Sequence, residues 1–360
     1  MIDILNMTHS ELQAFICGDL GEPAFRADQV WQWLWQKGAC SFSEMTNVSK
    51  TTRAVLEDRC VIRLPEVAAE ERSEDGTVKF LLRLADGQCV ETVLIPSESR
   101  EGILRMTQCL SCQVGCAMSC TFCATGGMGF IRNMTMGEIL GQVLVARRYL
   151  GDTMENPRLR NVVFMGMGEP LLNFKEVMRS LEVMNHEMAF NFSPRRITVS
   201  TCGLKKGLLE LGNSGLAYLA VSLHAPTQAL RETIMPKAAA WPLDELVATL
   251  AGYPLKTRER LTFEYLLLGG VNDGPDHARA LAKLMARVKA KLNLIVYNPV
   301  PGAPYDAPSP ERVTAFSDIL HAKHITAIIR KSKGQDIKAA CGQLRAAADS
   351  GRSPSTEGEC

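Results

Sequence analysis

Through residues 1–64, apolar positions recur at helical spacing. Thr8-His9-Ser10-Glu11 stands ahead of one such stretch as a helix start, and residues 26–37 bring Val30, Trp31, Leu34 and Trp35 onto one face. Phe42, Met45, Val48, Val55 and Leu56 extend the set, so this part predicts a small helical bundle. Both tryptophans fit its core better than a base-stacking platform. The period then shortens: residues 78–84 and 90–95 flank Asp86-Gly87 and predict a β-hairpin.

Beyond about residue 104, strand-like runs alternate with amphipathic stretches. The runs fall at 103–107, 162–165, 197–200, 218–223, 261–267 and 293–297, with a last one at 326–330. Residues 135–149 open on a Thr135/Glu138 capping box and carry Met136, Ile139, Leu140 and Val143 as a stripe. Leu281, Leu284, Met285 and Val288 repeat the pattern. Six such βα units predict an α/β fold, a parallel sheet curled into a partial (β/α)6 barrel with its chemistry at the strands' C-terminal ends. The expected organisation is a helical accessory domain at 1–64, a hairpin or linker extension at 65–103, the barrel with a C-terminal loop at 104–347, and a polar, disordered tail at 348–360.

Composition narrows the class. Of 360 residues 46% are hydrophobic, as in ordinary globular proteins, and no apolar run reaches membrane-spanning length. Met1 leads into polar and acidic residues, so no secretory signal is expected. Twelve cysteines at irregular spacing point to a reducing, cytoplasmic setting in which clustered thiols bind metal or do chemistry. A net charge of +1 leaves nucleic-acid binding to local patches, and residues 1–64 supply none, with six Lys/Arg against eight Asp/Glu. Arg195-Arg196, Lys205-Lys206 and Arg330-Lys331-Ser332-Lys333 are the candidate phosphate contacts, although such pairs also serve as solvated faces.

Cys116, Cys120 and Cys123 form the run C-A-M-S-C-T-F-C just after the first barrel strand. Three thiolates are one too few for a closed zinc site, and zinc would need a distant fourth ligand. They suit a [4Fe-4S] cluster with one iron left open. Successive strand ends carry Gly166-Met167-Gly168-Glu169-Pro170, then Ser200-Thr201-Cys202-Gly203, Ser222-Leu223-His224 and Asn298-Pro299. Glycines there allow a close backbone approach, and the short polar side chains form a ligand cradle. Taken singly, each is as readily a turn or satisfied polar residue, and His224 a buried neutral imidazole. Cys341 lies beside Gly342 with Arg330, Lys331 and Lys333 nearby, either an accessible thiolate favoured by those cations or an inert thiol.

The cysteine run with Phe122 before its last cysteine resembles the radical S-adenosylmethionine (SAM) signature. Over about residues 25–344 the chain resembles the RlmN/Cfr family of radical SAM RNA methyltransferases. The likeness rests on residues 21–26, Val90-Glu91-Thr92-Val93, 109–116, the cysteine run, 127–130, 166–173, 222–226, 270–273, 298–304 and 336–344. The resemblance implies a [4Fe-4S] cluster on Cys116, Cys120 and Cys123, with SAM held by Gly168, Glu169, Ser200, Ser222, Leu223, His224 and Asn298. It implies ping-pong transfer to an adenine carbon of RNA. One SAM methylates Cys341; a second, cleaved at the cluster, activates that methyl group; the resulting radical adds to the base. Glu91 then removes the ring proton, and Cys109 attacks the Cys341 sulfur to release product and leave a disulfide. Cys112, where family members often have serine, leaves open which thiol resolves the adduct. Gly168-Glu169-Pro170 and residues 298–302 resemble the carbon-2 branch, acting on 23S rRNA and tRNA; the alternatives are the carbon-8 branch and a zinc-bearing RNA-binding protein. An electron donor such as a flavodoxin or ferredoxin, a monomeric state and no membrane partner are expected. Cys17, Cys40, Cys60, Cys89, Cys202 and Cys360 are read as structural.

Overall fold

A computed structural model describes residues 1–98, 102 and 104–345. Residue 103, the tail at 348–360 and Cys360 lie outside the described residues.

The N-terminal stripe folds as α1 (His9–Ala14), α2 (Ala24–Trp35) and α3 (Lys50–Arg59). Thr8 and Glu11 form a capping box at the start of α1. Val30, Trp31, Leu34 and Trp35 are all buried, so the tryptophans are core, as their spacing indicates. A parallel pair, β1 (Ile2–Asp3) against β2 (Cys60–Val61), ties the two ends of this unit together. Two-residue strands leave no alternation to read, and the sequence pattern misses them.

The expected hairpin is three-stranded. β3 (Glu66–Arg72), β4 (Val78–Arg83) and β5 (Cys89–Glu98) run antiparallel, and β5 pairs with β6 (Leu104–Cys109), the first strand of the parallel sheet. A small ribbon, β7 (Gln113–Gly115) with β8 (Phe130–Asn133), brackets the cysteine run and the short α4 (Ala124–Met128). The alternating part continues as α5 (Met136–Leu150), β9 (Leu159–Phe164), α6 (Phe174–Asn185), β10 (Ile197–Thr201), α7 (Lys205–Ser214), β11 (Tyr218–Ser222), α8 (Gln228–Ile234), α9 (Leu243–Ala251), β12 (Leu261–Leu267), α10 (Pro275–Met285), β13 (Ala290–Val296), α11 (Pro310–His321) and β14 (Ala327–Arg330).

These strands form one ten-stranded sheet in the order β14-β13-β12-β11-β10-β9-β6-β5-β4-β3. From β6 to β14 every neighbour is parallel, which makes β14 a seventh barrel strand beyond the six expected. β5 and β14 line one cavity from opposite sides, so the sheet curls into an open barrel although its edges do not pair.

The N-terminal unit packs on α5 at two glycines. A Cβ on Gly137 would meet Leu5 Cβ at 3.0 Å, and one on Gly141 would meet Pro65 Cδ at 2.5 Å. Asn6 Oδ1 accepts a hydrogen bond from Gly137 N (2.8 Å), and Arg147 Nη1 donates to the Trp35 carbonyl (3.0 Å). Gly141→Ala therefore forces Pro65 off the helix. It should lower unfolding stability by about 1–3 kcal/mol, measured by urea denaturation; an unchanged midpoint would show that this approach is not tight.

Candidate active site

The cysteine loop crosses the barrel mouth with little regular structure, and side chains satisfy the backbone groups that neighbouring backbone does not reach. Gln142 of α5 does this twice: Oε1 accepts from Ser111 N (3.0 Å) and Nε2 donates to the Ser111 carbonyl (2.8 Å). Asn173 Nδ2 donates to the carbonyls of Cys112 and Met134, both at 2.8 Å. Ser111 Oγ donates to the Glu91 carbonyl (2.6 Å) and accepts from Met167 N (2.9 Å). Sequence reading passed over Gln142 as an internal helix residue, and nothing local marks it.

The glycines after β9 serve this loop. A Cβ on Gly166 would lie 2.6 Å from the Leu110 carbonyl oxygen, and one on Gly168, at φ +99°, would lie 2.5 Å from Gln113 Cβ. The close approach read as room for a ligand is thus first an approach of the cysteine loop itself.

Cys116, Cys120 and Cys123 line one cavity at the C-terminal ends of the strands, together with Gly168, Glu169, Ser200, Ser222, His224 and Cys341. Three thiols around one cavity suit a cluster that offers each its own iron atom. Burial pushes the Cys116 thiol up to about 11 and raises that of Cys120.

The cradle is tightly wired. Glu169 Oε1 accepts from Leu171 N (3.0 Å) and Oε2 from Cys202 N (2.8 Å), joining two strand ends; burial raises its pKa against these bonds. Ser200 and Ser222 hydroxyls stand 3.5 Å apart. His224, at φ +53°, accepts from Leu266 N through Nδ1 (3.0 Å), while its ring meets Phe122 edge-on with centroids 5.1 Å apart. Burial, helped by Arg231, drives its pKa down to about 3, so it is the neutral imidazole of the bland reading even as it lines the cavity. Arg231 itself is fully buried and donates to the carbonyls of Leu223 (2.8 Å) and Cys202 (2.5 Å).

Two expected cradle residues do not line this first cavity, although one borders a cavity that adjoins it. Leu223 is in the core, its N–H bonded to the Glu264 carbonyl and its own carbonyl taken by Arg231. Asn298 lines a second, more polar cavity of about 500 Å³ below the first. Its Oδ1 accepts from Gln335 (2.6 Å), and its buried Nδ2 has no partner among the described residues, which leaves both N–H donors of the amide for a ligand.

Cys341 stands in the wall shared by both cavities, and Cys109 lines the second. Cys341 is reachable from the cavity yet enclosed by its walls. Burial and the Glu264 carboxyl raise its thiol, and Arg330 pulls it back. Cys112 is buried and lines neither cavity. Glu91 also lines neither. It is 6% exposed, 3.4 Å from Lys79 Nζ, and its Oε2 accepts from Arg345 N (2.6 Å). Burial raises its pKa while Lys79 pulls it back. Sequence reading missed Glu264, a 5%-exposed carboxyl on β12 that faces both cavities and is pushed up to about 7 by burial. Of the basic pairs, Arg330, Lys331 and Lys333 line the second cavity, whereas Arg195, Arg196, Lys205 and Lys206 are exposed and line neither.

Comparison with known proteins agrees with this arrangement. Residues 2–62 match the ribosomal RNA large subunit methyltransferase N-terminal domain, and residues 110–282 the radical SAM superfamily. Over 347 residues the chain is 72% identical to the dual-specificity RNA methyltransferase RlmN of Nitratidesulfovibrio vulgaris (strain DP4), covering 96% of this chain and 95% of that one. It is 56% identical over 346 residues to the protein of that name from Lawsonia intracellularis, covering 96% and 97%. A crystal structure of a radical SAM methyltransferase from Sphaerobacter thermophilus superposes with a TM-score of 0.89 at 42% identity, over 96% of this chain and all of that one. With its helical N-terminal unit, its cysteine-ringed barrel mouth and identity along nearly its whole length, the chain belongs to the RlmN family of radical SAM methyltransferases.

Proposed function

We infer that this chain methylates RNA with SAM, placing the methyl group on carbon 2 of an adenosine in 23S rRNA and in tRNA by way of Cys341. The observation that carries this reading is the place of Cys341 between the cysteine-ringed cavity and the one lined by Cys109. A methyl carrier must face its donor on one side and its resolving thiol on the other.

Cys116, Cys120 and Cys123 would hold a [4Fe-4S] cluster, and Gly168, Glu169, Ser200, Ser222, His224 and the unpaired amide of Asn298 would hold SAM. When bound, this pair supplies the methyl group and the one-electron activation that an electron-poor ring carbon requires. The rest falls to the chain's own side chains. Cys341 sulfur takes the methyl group by displacement, giving its proton to solvent or to a cavity carboxyl, with Glu264 facing both cavities. After the activated carbon joins the base, the adduct has to give up its one unpaired electron, for which a bound cluster would be the acceptor, and Glu91 accepts the ring proton, for which a raised carboxyl is better matched than an ordinary one. Cys109 then bonds to the Cys341 sulfur. The sulfur–methylene bond breaks with its electron pair going to carbon, which takes a proton and becomes the methyl group. The disulfide left behind needs an external thiol or electron donor for the next cycle. Cys109, sharing a cavity with Cys341, suits this step; Cys112 does not.

Cys341→Ala should abolish methyl transfer to RNA and leave the brown cluster of anaerobically purified protein intact. Residual turnover, followed with methyl-labelled SAM, would refute the carrier role. Cys109→Ala should trap RNA covalently on the protein, visible as a nuclease-sensitive shift on a denaturing gel, whereas Cys112→Ala should release product normally. A trapped adduct with the second variant and none with the first would reverse the assignment. Nucleoside mass analysis of the labelled RNA should give 2-methyladenosine; 8-methyladenosine would transfer the chain to the carbon-8 reading.

A further inference from the structure

Residues 334–345, which carry Cys341, contain no helix or strand, so contacts alone fix their position. The turn between β3 and β4 holds the first half: Gly334 N donates to Asp75 Oδ2 (3.0 Å), and the Asp336 carboxylate accepts from Ser73 Oγ (2.6 Å) and Glu74 N (3.3 Å). Helix α4, directly after Cys123, holds the second half. Ala124 N donates to the Gly342 carbonyl (2.8 Å) and Thr125 Oγ1 to that of Leu344 (2.6 Å).

One further pair grips both halves. Lys79 on β4 is buried, and its Nζ donates to the Ile337 carbonyl at 2.8 Å while standing 3.4 Å from Glu91 Oε1 and 3.2 Å from Glu71 Oε1. Three acceptors match the three protons of an ammonium. Glu71 is half-exposed and screened, so the pair with Glu91, whose side chains are each 7% exposed, is the strong one. Glu91 Oε2 in turn accepts from Arg345 N (2.6 Å). Ile337 and Arg345 lie four residues before and four after Cys341 (341 − 337 and 345 − 341). The sheet builds the pair in: Lys79 is opposite Val93 and Glu91 opposite Leu81, so the two charges are diagonal neighbours on one face.

We propose that Lys79 is a positioning residue that couples Glu91 to the methyl-carrying loop, so that the proton Glu91 takes from the RNA base loosens the loop for its meeting with Cys109. The proposal rests on the reading of Glu91 as base and Cys341 as carrier. An ionised Glu91 holds the Lys79 ammonium and the Arg345 N–H by charge-assisted bonds. The proton leaves the ring carbon, arrives on the carboxylate and removes that charge, and both bonds weaken together. Lys79 and Glu71 are the charged groups that act on Glu91, and Lys79 is the one within reach of the loop.

The test uses cluster-loaded protein, with hydrogen exchange of residues 334–345 and the ratio of trapped RNA adduct to released product as readouts. Lys79→Met should raise loop exchange at least tenfold and, because Glu91 without its cation stays protonated and cannot take the ring proton, make adduct accumulate ahead of the step the loose loop would favour; Lys79→Arg should restore both in part. Asp75→Asn should raise exchange in the first half of the loop without trapping adduct, which separates a general loosening from loss of the Lys79–Glu91 coupling. Because Lys79→Met leaves Glu91 as a buried unpaired acid, Lys79→Met with Glu91→Gln supplies a folded control whose loop must also exchange faster. Wild-type exchange and a wild-type adduct ratio in Lys79→Met would overturn the proposal. If unmutated protein carries no S-methyl group on Cys341 by peptide mass, the functional reading fails instead, and the exchange comparison alone then decides whether Lys79 holds the loop.

Discussion

The cysteine loop crosses a buried barrel mouth with only a short ribbon, β7 with β8, to pair its backbone, and the site depends on how the remaining groups are met. Leu110, Cys112 and Gln113 bond to the backbone of Val163 in β9 and of Gly166 and Met167 after it, and buried amides supply the rest: Gln142 from α5 holds both backbone groups of Ser111, and Asn173 from the turn ahead of α6 holds the Cys112 carbonyl. Leaving one such group unpaired costs about 1–3 kcal/mol, and here it would also shift a cysteine. The glycines after β9 follow from the same requirement, since a side chain at Gly166 or Gly168 would push the loop out of reach of those amides. The thiols therefore take their positions from helices outside the barrel.

Charge inside the mouth is arranged the same way. Arg231 is buried with no carboxylate at ion-pair distance among the described residues, and backbone carbonyls at the ends of β10 and β11 carry its hydrogen bonds. A guanidinium in that position fastens strand ends while keeping a cation beside the cavity, and it helps hold His224 neutral. Neutral His224 can then accept from Leu266 N, which an imidazolium could not do. Electrostatics and backbone geometry thus support one another around the cradle.

The barrel was readable from sequence because short strand-like runs alternate with amphipathic helical stretches along it. The run at 261–267 is β12, and the Thr135/Glu138 capping box opens α5. β3 was not readable: Glu-Val-Ala-Ala-Glu-Glu-Arg is almost wholly exposed and has no apolar face to alternate. The cysteine run and the polar strand ends announce themselves by local spacing. Gln142, Lys79 and Glu264 do not, because a buried polar residue looks like a surface one until its partner is known. Those partners are distant in sequence, Ser111 for Gln142 and Ile337 for Lys79. Glu91 was legible only through family resemblance, which gave its identity but not its enclosure by Lys79 and Arg345.

The placement of Cys341 on a loop has a physical reason. A residue within a strand is fixed by ladder bonds on both sides, whereas a loop residue is held only by the contacts made to it. Cys341 borders two cavities, one with the cysteines that would hold a cluster and the other with Cys109. Side-chain contacts from Ser73, Asp75, Lys79 and Glu91 hold its loop at several points, each of them alterable by a change of charge or partner. The antiparallel strands β3 to β5 extend the sheet beyond the barrel and carry those side chains to the loop. An accessory hairpin that looks like a linker in sequence is, in the folded chain, what holds the loop carrying Cys341 in place.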